Sequence, residues 1–238
     1  MKTVLITGAN KGIGFETAKQ MAQLGYFVYL GSRDKTKGLA ALNKLKDSGI
    51  SNVEMIEIDV TNINSIIKAK QNLEARIEAL DVLINNAGIA GELPQNISTV
   101  KIENLRKVFE TNFFGAVQTT QQFINLLKKS NKPTIINVSS ELGSLTLHNS
   151  RLNPNFEVYD TYSCSKTARN AFTVMLANEF RNTNFKIISV SPGYTATDLN
   201  QFKGIQTVEQ GAKSIVKYAT LENDGATGKF FKEEEIPW

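Results

Sequence analysis

The chain has 238 residues, 41% of them hydrophobic and 21% charged, with a formal net charge of +4; this is enough for one large α/β unit of ordinary globular composition. A single cysteine, Cys164, and a single histidine, His148, exclude an intramolecular disulfide, a cysteine-cluster zinc site and a multi-histidine metal centre, so no metal is expected. No apolar run approaches the roughly 18 residues of a membrane span, the amino terminus lacks a signal-peptide pattern, and basic residues are scattered among acidic ones. The expectation is a cytoplasmic protein with neither a membrane nor a nucleic-acid partner.

Along the chain, short β-rich apolar runs fall at 3–7, 26–30, 53–58, 81–86, 134–139 and 186–191, with a final short strand at 228–231. Continuous apolar runs, as opposed to alternating ones, suit strands buried on both faces of a parallel sheet. Helical patterns over 12–24, 36–47, 62–78, 99–129 and 159–181 separate them. The alternation predicts a Rossmann-type, doubly wound, mostly parallel sheet with helices on both faces. No repeat or linker divides it, so residues 1–238 read as a single domain. In such sheets ligands bind beyond the carboxyl ends of the strands, where the winding reverses.

The first strand runs into T-G-A-N-K-G-I-G, residues 7–14. Gly8, Gly12 and Gly14, with Asn10, Lys11 and Ile13 between them, form a turn that lets backbone approach a pyrophosphate at a helix N-terminus. At the end of the second strand an NAD site places a carboxylate for the ribose 2′-hydroxyl. Here Ser32 and Arg33 stand in that place, and a guanidinium matches a 2′-phosphate, with Lys11 as a second cation. NADP(H) is therefore expected over NAD, with Asp34 one step further on and facing solvent. Asp59, with the Val60 backbone, suits the adenine amino group, although T-N-I-N after it also reads as a helix cap. Asn86, Ala87 and Gly88 of N-N-A-G suit a ribose, Asn86 above all. Further on, Tyr162 and Lys166 stand four apart in a helical pattern, on one face and one turn from each other.

The series TGANKGIG (7–14), Asp59, NNAG (85–88), Asn112 in TNFFG, VSS (138–140), Tyr162-x-x-x-Lys166 and PGYTAT (192–197) resembles the short-chain dehydrogenase/reductase family over essentially the whole chain, and within it the NADPH-dependent carbonyl reductases. The resemblance implies that Tyr162 is the proton donor in reduction. Lys166, together with an oxidised nicotinamide, would lower the phenol pKa from its free value near 10 and reach the ribose hydroxyls. Ser140 would polarise the substrate carbonyl; Ser139 is the alternative, since strand alternation lets only one of them face the site. The Asn112 amide would hold a water linking Lys166 to solvent. Pro192 and Gly193 would turn beside the nicotinamide, with Thr195, through its backbone, and Thr197 fixing the carboxamide. Cys164 projects elsewhere on the helix and reads as a small packing residue.

Two stretches depart from the family pattern. Ser140 and Tyr162 are 22 positions apart, further than in most of the family, though carbonyl reductases carry a longer insertion there. This segment is expected to wall the substrate pocket, with Leu147, Leu152, Phe156 or Tyr159 as candidates, and to block a helix face used for association, which favours a monomer over a homo-oligomer. The segment 198–204 is short, implying a compact or open site for small or flat compounds. The expected function is NADPH-dependent reduction of a ketone, aldehyde or quinone. An NADP-linked alcohol dehydrogenase working oxidatively uses the same residues. A silent NADPH-sensing regulator typically lacks the Tyr or the Lys, and both are present here.

Overall fold

The computed structural model describes residues 1–150, 159–221 and 226–238. Seven strands, β1 (Thr3–Ile6), β2 (Phe27–Ser32), β3 (Val53–Glu57), β4 (Val82–Asn85), β5 (Thr134–Val138), β6 (Lys186–Val190) and β7 (Phe230–Phe231), form one sheet in the order β3-β2-β1-β4-β5-β6-β7. Every neighbouring pair of strands runs parallel. Strands β1, β4, β5 and β6 are buried along their whole length, as the unbroken apolar runs require.

Period-two alternation divides the strand side chains between two cores. Val4 and Ile6 point to the face covered by α1 (Gly12–Gln23), α2 (Lys35–Asp47) and α8 (Val208–Thr220), against Met21, Leu45 and Ile215. Leu5 points to the face covered by α3 (Ile63–Glu74), α5 (Gly115–Leu127) and α7 (Asp160–Glu179), against Ile66, Phe123 and Ala177. Helix α8 was not among the helices expected from periodicity. Its signal was a capping box: the Gln210 amide accepts from Thr207 N at 2.9 Å, and Thr207 Oγ1 accepts from Gln210 N at 3.3 Å.

The helix expected over 99–129 is not continuous. It divides into α4 (Ile102–Phe109), a π-helical turn (Glu110–Phe114) and α5, and Asn112 lies in that turn. A π turn shifts the hydrogen-bond register by one residue, which releases backbone groups to other partners. In the long segment before Tyr162 lie a 3₁₀ turn (Glu141–Gly143) and the short helix α6 (Leu145–Asn149). The chain's end pins this segment: Thr146 N donates to the Trp238 carbonyl at 2.9 Å, and Ser144 Oγ to that of Pro237 at 2.8 Å. The Trp238 ring stacks on Phe230 with centroids 5.4 Å apart. Of the expected wall residues, Leu147 and Tyr159 are half-buried, while Leu152 and Phe156 lie outside the described residues. Among the described residues no helix is long and apolar enough to cross a membrane, and no cluster of three His, Cys, Asp or Glu could hold a metal.

Phe123 of α5 has no exposed surface. Phe123→Ala is predicted to cost about 3–5 kcal/mol, read by urea denaturation with an unchanged m-value.

Candidate active site

The winding of the sheet reverses at β1, which lies between β2 and β4, so a crevice opens beyond the carboxyl ends of β1 and β4. Thr7 joins its two sides: Thr7 Oγ1 accepts from Asn86 N at 3.0 Å and Ala87 N at 3.1 Å. Asn86 Nδ2 donates back to the carbonyls of Thr7 at 2.8 Å and Gly8 at 3.1 Å. Asn86 was expected chiefly as a ribose contact; both its side-chain N–H groups are instead spent holding the glycine turn. A Cβ on Gly8, at φ +64°, would lie 2.9 Å from Ala87 Cα, and one on Gly14 2.4 Å from Asn86 Nδ2. These two glycines therefore let the β1 and β4 loops close on each other. A Cβ on Gly12, at φ +59°, would lie 3.6 Å from Thr197 Cγ2.

The N-terminus of α1 has the character of an anion site. Its N-cap residue Lys11 makes no side-chain cap, and its first turn contains no acidic residue, so the first N–H groups of the helix lack the partner a cap would supply. Helices α2, α3 and α8, by contrast, are capped by Asp34, Asn62 and Thr207. With Asn10 and Ile13 flanking the turn, this cradle fits a pyrophosphate.

At the end of β2, Ser32 is buried and its hydroxyl donates to the Asp34 carbonyl at 2.9 Å, while Arg33 is exposed. Asp34 is not simply turned to solvent. Its carboxylate caps α2, accepting from Lys37 N at 3.0 Å, and that backbone hydrogen bond holds its pKa below the usual value. A carboxylate committed to a helix end is poorly placed to receive a ribose hydroxyl. Lys11 pairs with Asp198 at 2.8 Å, both largely exposed, a surface pair of small worth. Asp59 Oδ1 accepts from Thr61 N at 2.9 Å and Thr61 Oγ1 at 2.8 Å; the α3 cap itself is Asn62. Val60 packs against Gly115, where a Cβ would stand 2.8 Å from Val60 Cγ2.

The floor of the crevice belongs to α7. Lys166 is 3% exposed; its Nζ donates to the Val138 carbonyl at 2.8 Å and sits 5.3 Å from the Tyr162 ring centroid. The Ser140 side chain hydrogen-bonds to the Tyr162 phenol, and Ser140 Oγ also accepts from Leu142 N at 3.2 Å. Ser139 is buried, with no partner for its hydroxyl among the described residues. The Asn112 amide closes a clasp: Oδ1 accepts from Ile89 N at 2.8 Å, and Nδ2 donates to the Ile89 carbonyl at 2.9 Å and to Ser165 Oγ at 3.0 Å. Both its N–H groups are thereby spent on protein atoms, where a water-holding amide was expected. A Cβ on Gly88 would lie 3.3 Å from Asn112 Oδ1 and 3.7 Å from Lys166 Nζ, so the glycine lets the β4 loop pass close over both. Gly193, at φ +74°, begins the turn after β6; Thr195 is buried, its hydroxyl donating to the Pro192 carbonyl at 3.1 Å, and Thr197 N donates to Asn200 Oδ1 at 3.1 Å.

Burial pushes the Tyr162 phenol up to about 12, opposed by the Arg169 charge and the Ser140 hydrogen bond. Burial, and then the neighbouring Arg169 charge, hold the Lys166 ammonium well below its ordinary range. Cys164 is exposed and not a packing residue; it stands two residues from Tyr162, about 200° around the helix, and burial followed by the Asp160 charge raises its thiol pKa.

Arg169 was missed. It is 1% exposed, and its guanidinium donates to the carbonyls of Asn112 at 2.6 Å, Val138 at 2.9 Å, Asn85 at 3.0 Å and Ala87 at 3.3 Å. The available signal was its spacing. Positions 162, 166 and 169 are i, i+4 and i+7 of one helical stripe, and a third polar residue on a face turned to the sheet invites explanation.

Comparison with known proteins agrees with this geometry. A family model for short chain dehydrogenases matches residues 2–207. The chain is 32% identical to (+)-neomenthol dehydrogenase of Capsicum annuum, covering 98% of this chain and 96% of that protein over an alignment of 302 residues. It is 30% identical to salutaridine reductase of Papaver bracteatum, covering 99% and 96%. Among solved structures, the NADPH-bound carbonyl reductase from chicken fatty liver superimposes with a TM-score of 0.88 at 27% identity, covering 100% of this chain and 99% of that one. Crevice, glycine cradle and α7 stripe thus sit in a chain that matches the family almost end to end, and this protein belongs to the short-chain dehydrogenase/reductase family of oxidoreductases, which interconvert CH–OH and C=O groups.

Proposed function

We propose that this protein reduces the carbonyl of a ketone, aldehyde or quinone to an alcohol, with NADPH as the hydride donor. The observation that carries the reading is the convergence of Ser140, Tyr162 and Lys166 at the carboxyl ends of β4 and β5, beside the glycine cradle. With its pyrophosphate at that cradle, the reduced cofactor would supply the hydride from its dihydronicotinamide. Ser140 and Tyr162 offer two hydroxyls to one carbonyl oxygen, which polarises the carbonyl and stabilises negative charge as it develops. The phenol, fully protonated at neutral pH given its raised pKa, gives its proton to the resulting alkoxide. Lys166 and the backbone of Gly88, with Pro192 and Thr195, would hold the nicotinamide ribose and carboxamide.

NADPH is favoured over NADH by the exposed Arg33, which has no carboxylate partner among the described residues, and by the engagement of Asp34 at the α2 N-terminus. The relatives support this: chicken carbonyl reductase binds NADPH, and a structure at 26% identity, ElxO, binds NADP. The alignment with neomenthol dehydrogenase is longer than the 238 residues of this chain. The relative thus carries insertions that this chain lacks, in keeping with a compact or open site.

Tyr162→Phe should lower NADPH-dependent reduction across a panel of carbonyl compounds by about 10²–10⁴-fold, measured as loss of absorbance at the reduced nicotinamide band; retention within about tenfold removes Tyr162 as the acid. Arg33→Ala should weaken NADPH by about 10–100-fold, the worth of a charged hydrogen bond, while NADH affinity holds. Equal losses for both would reverse the cofactor preference.

A further inference from the structure

The first turn of α7 carries Tyr162 but has no side-chain cap from its own N-cap residue, Tyr159. Inside the helix, Ser163 N is the first N–H to find an acceptor, the Tyr159 carbonyl at 2.8 Å. The N–H of Tyr162 precedes it and needs a partner from outside the helix. Gln95, 67 positions earlier, supplies one: its Oε1 accepts from Tyr162 N at 3.1 Å. Gln95 has no exposed surface, and the other end of its amide, Nε2, donates to the Ala90 carbonyl at 2.7 Å. An N–H at one end and a carbonyl at the other admit a single orientation of the group. A primary amide is the uncharged side chain that offers an acceptor and a donor on separate atoms in this way. A second bridge runs beside it. The Tyr162 carbonyl accepts from Ser165 Oγ at 2.7 Å, and Ser165 Oγ accepts from Asn112 Nδ2 at 3.0 Å. Asn112 holds both backbone groups of Ile89, as Gln95 holds the Ala90 carbonyl. Tyr162 is thus gripped at its N–H and at its C=O, and both bridges end on neighbouring residues just beyond Gly88.

We propose that Gln95 is a positioning residue for carbonyl reduction: it caps α7 from the β4 loop and fixes the Tyr162 backbone against the segment that follows Gly88. The inference rests on the reductase reading above. In that reading the phenol of Tyr162 and the cofactor must meet the same carbonyl group, so the helix end that carries one must be registered against the loop that holds the other. Gln95 acts on that register through the Tyr162 backbone and does not touch the reacting atoms. The loop is firm enough to serve as the reference. Asn104 of α4 clamps Glu92, its Oδ1 accepting from Glu92 N at 3.0 Å and its Nδ2 donating to the Glu92 carbonyl at 2.7 Å. Gly91, at φ +87°, lets the loop close on α4 and on the glutamine: a Cβ there would lie 2.6 Å from Val108 Cγ2 and 3.2 Å from Gln95 Nε2. A further tie runs the other way, from helix to loop, where Asp160 Oδ2 accepts from Ile97 N at 3.2 Å. The cost of a loose tyrosine is large, since a misplacement of about 1 Å at a reacting group can lower a rate about 10²-fold.

The test compares Gln95→Met, which keeps the length of the side chain and loses both hydrogen bonds, with Asn104→Ala, which loosens the same loop without contact to Tyr162. Rates are measured with 4-nitrobenzaldehyde and a 1,4-naphthoquinone as carbonyls and are scaled to the NADPH-binding sites found by titration. Gln95→Met should lower kcat by about 10–100-fold while KM and the NADPH Kd stay within about threefold, and Asn104→Ala should keep kcat within about threefold. A folded Gln95→Met enzyme with kcat within about threefold of wild type overturns the proposal. So does an equal loss in both variants, or a loss of NADPH affinity as large as the loss of rate, either of which marks a merely structural loop. A second measurement needs neither turnover nor a stable variant at position 95. Protein carrying nitrogen-15 in its six tyrosines is followed by NMR during amide hydrogen exchange, the Tyr162 signal being the one absent from Tyr162→Phe. Exchange of the wild-type Tyr162 amide should be slowed at least about 10²-fold relative to an unstructured chain, although a third helical position has no acceptor within its own helix. An unprotected amide overturns the proposal. This readout separates the two readings: a wild type that reduces neither carbonyl but protects the amide removes the reductase assignment, whereas an active wild type with an unprotected amide removes the role of Gln95.

Discussion

A single buried side chain ties this active site together. Arg169 takes the carbonyl ends of β4 and β5, the first residues beyond β4, and the π turn between α4 and α5, and holds them to one point on α7. The carbonyls beyond β4 and β5 lie where the sheet ends and its ladder offers no further donor, so each needs a partner from elsewhere. A planar fork with five N–H donors serves four of them from a single residue. The position of Tyr162 over the crevice and the aim of Lys166 at Val138 follow from how α7 is seated. The π turn belongs to the same arrangement: it brings the Asn112 carbonyl to Arg169 Nε and the Asn112 amide to Ile89 and Ser165.

Beneath this point the sheet itself turns polar. Asn85, Asn137 and Ser189 occupy one register across β4, β5 and β6. Asn85 Nδ2 donates to Thr120 Oγ1 and Asn137 Oδ1, both at 2.9 Å, and Asn137 Nδ2 donates to Thr173 Oγ1, also at 2.9 Å. Thr173 Oγ1 lies 2.8 Å from Ser189 Oγ. A buried amide and hydroxyl row of this kind penalises slippage of one strand past another, because a shifted register would leave its members without partners. The row thus fixes the heights at which Val138, Ser140 and Val190 emerge from the sheet, and so the alignment of the two hydroxyls that face the crevice.

The nucleotide half is preorganised by a different device. There the β1 and β4 loops are held by Thr7 and Asn86 and allowed to touch by Gly8 and Gly14. The opposite rim is held more lightly. Lys11 and Asp198 meet across the cleft mouth in an exposed pair, which water and salt keep weak, whereas the segment containing α6 is secured by the carbonyls of Pro237 and Trp238. Rigid floor and lightly held rim suit a site that must admit a large dinucleotide and then a small second reactant.

What could be read from the chain alone was whatever depends on neighbours in sequence. Apolar runs separated by helical periods gave a parallel sheet with two faces, and glycines at 8, 12 and 14 after the first strand marked a phosphate cradle. Tyr162 and Lys166, four apart, had to share a helical face. The break in the long helix at Asn112, the capping of α2 by Asp34, the commitment of Asn86 to the glycine turn and the four partners of Arg169 were decided only when distant segments met. A carbonyl's need for a donor exists at every residue and leaves no mark in composition. Which carbonyls lack one, and which buried side chain answers them, is set by where strands end in space. The same holds for charge: spacing put the ammonium beside the phenol, but how deeply Lys166 and Arg169 are buried was set by the packing of α7 on the sheet.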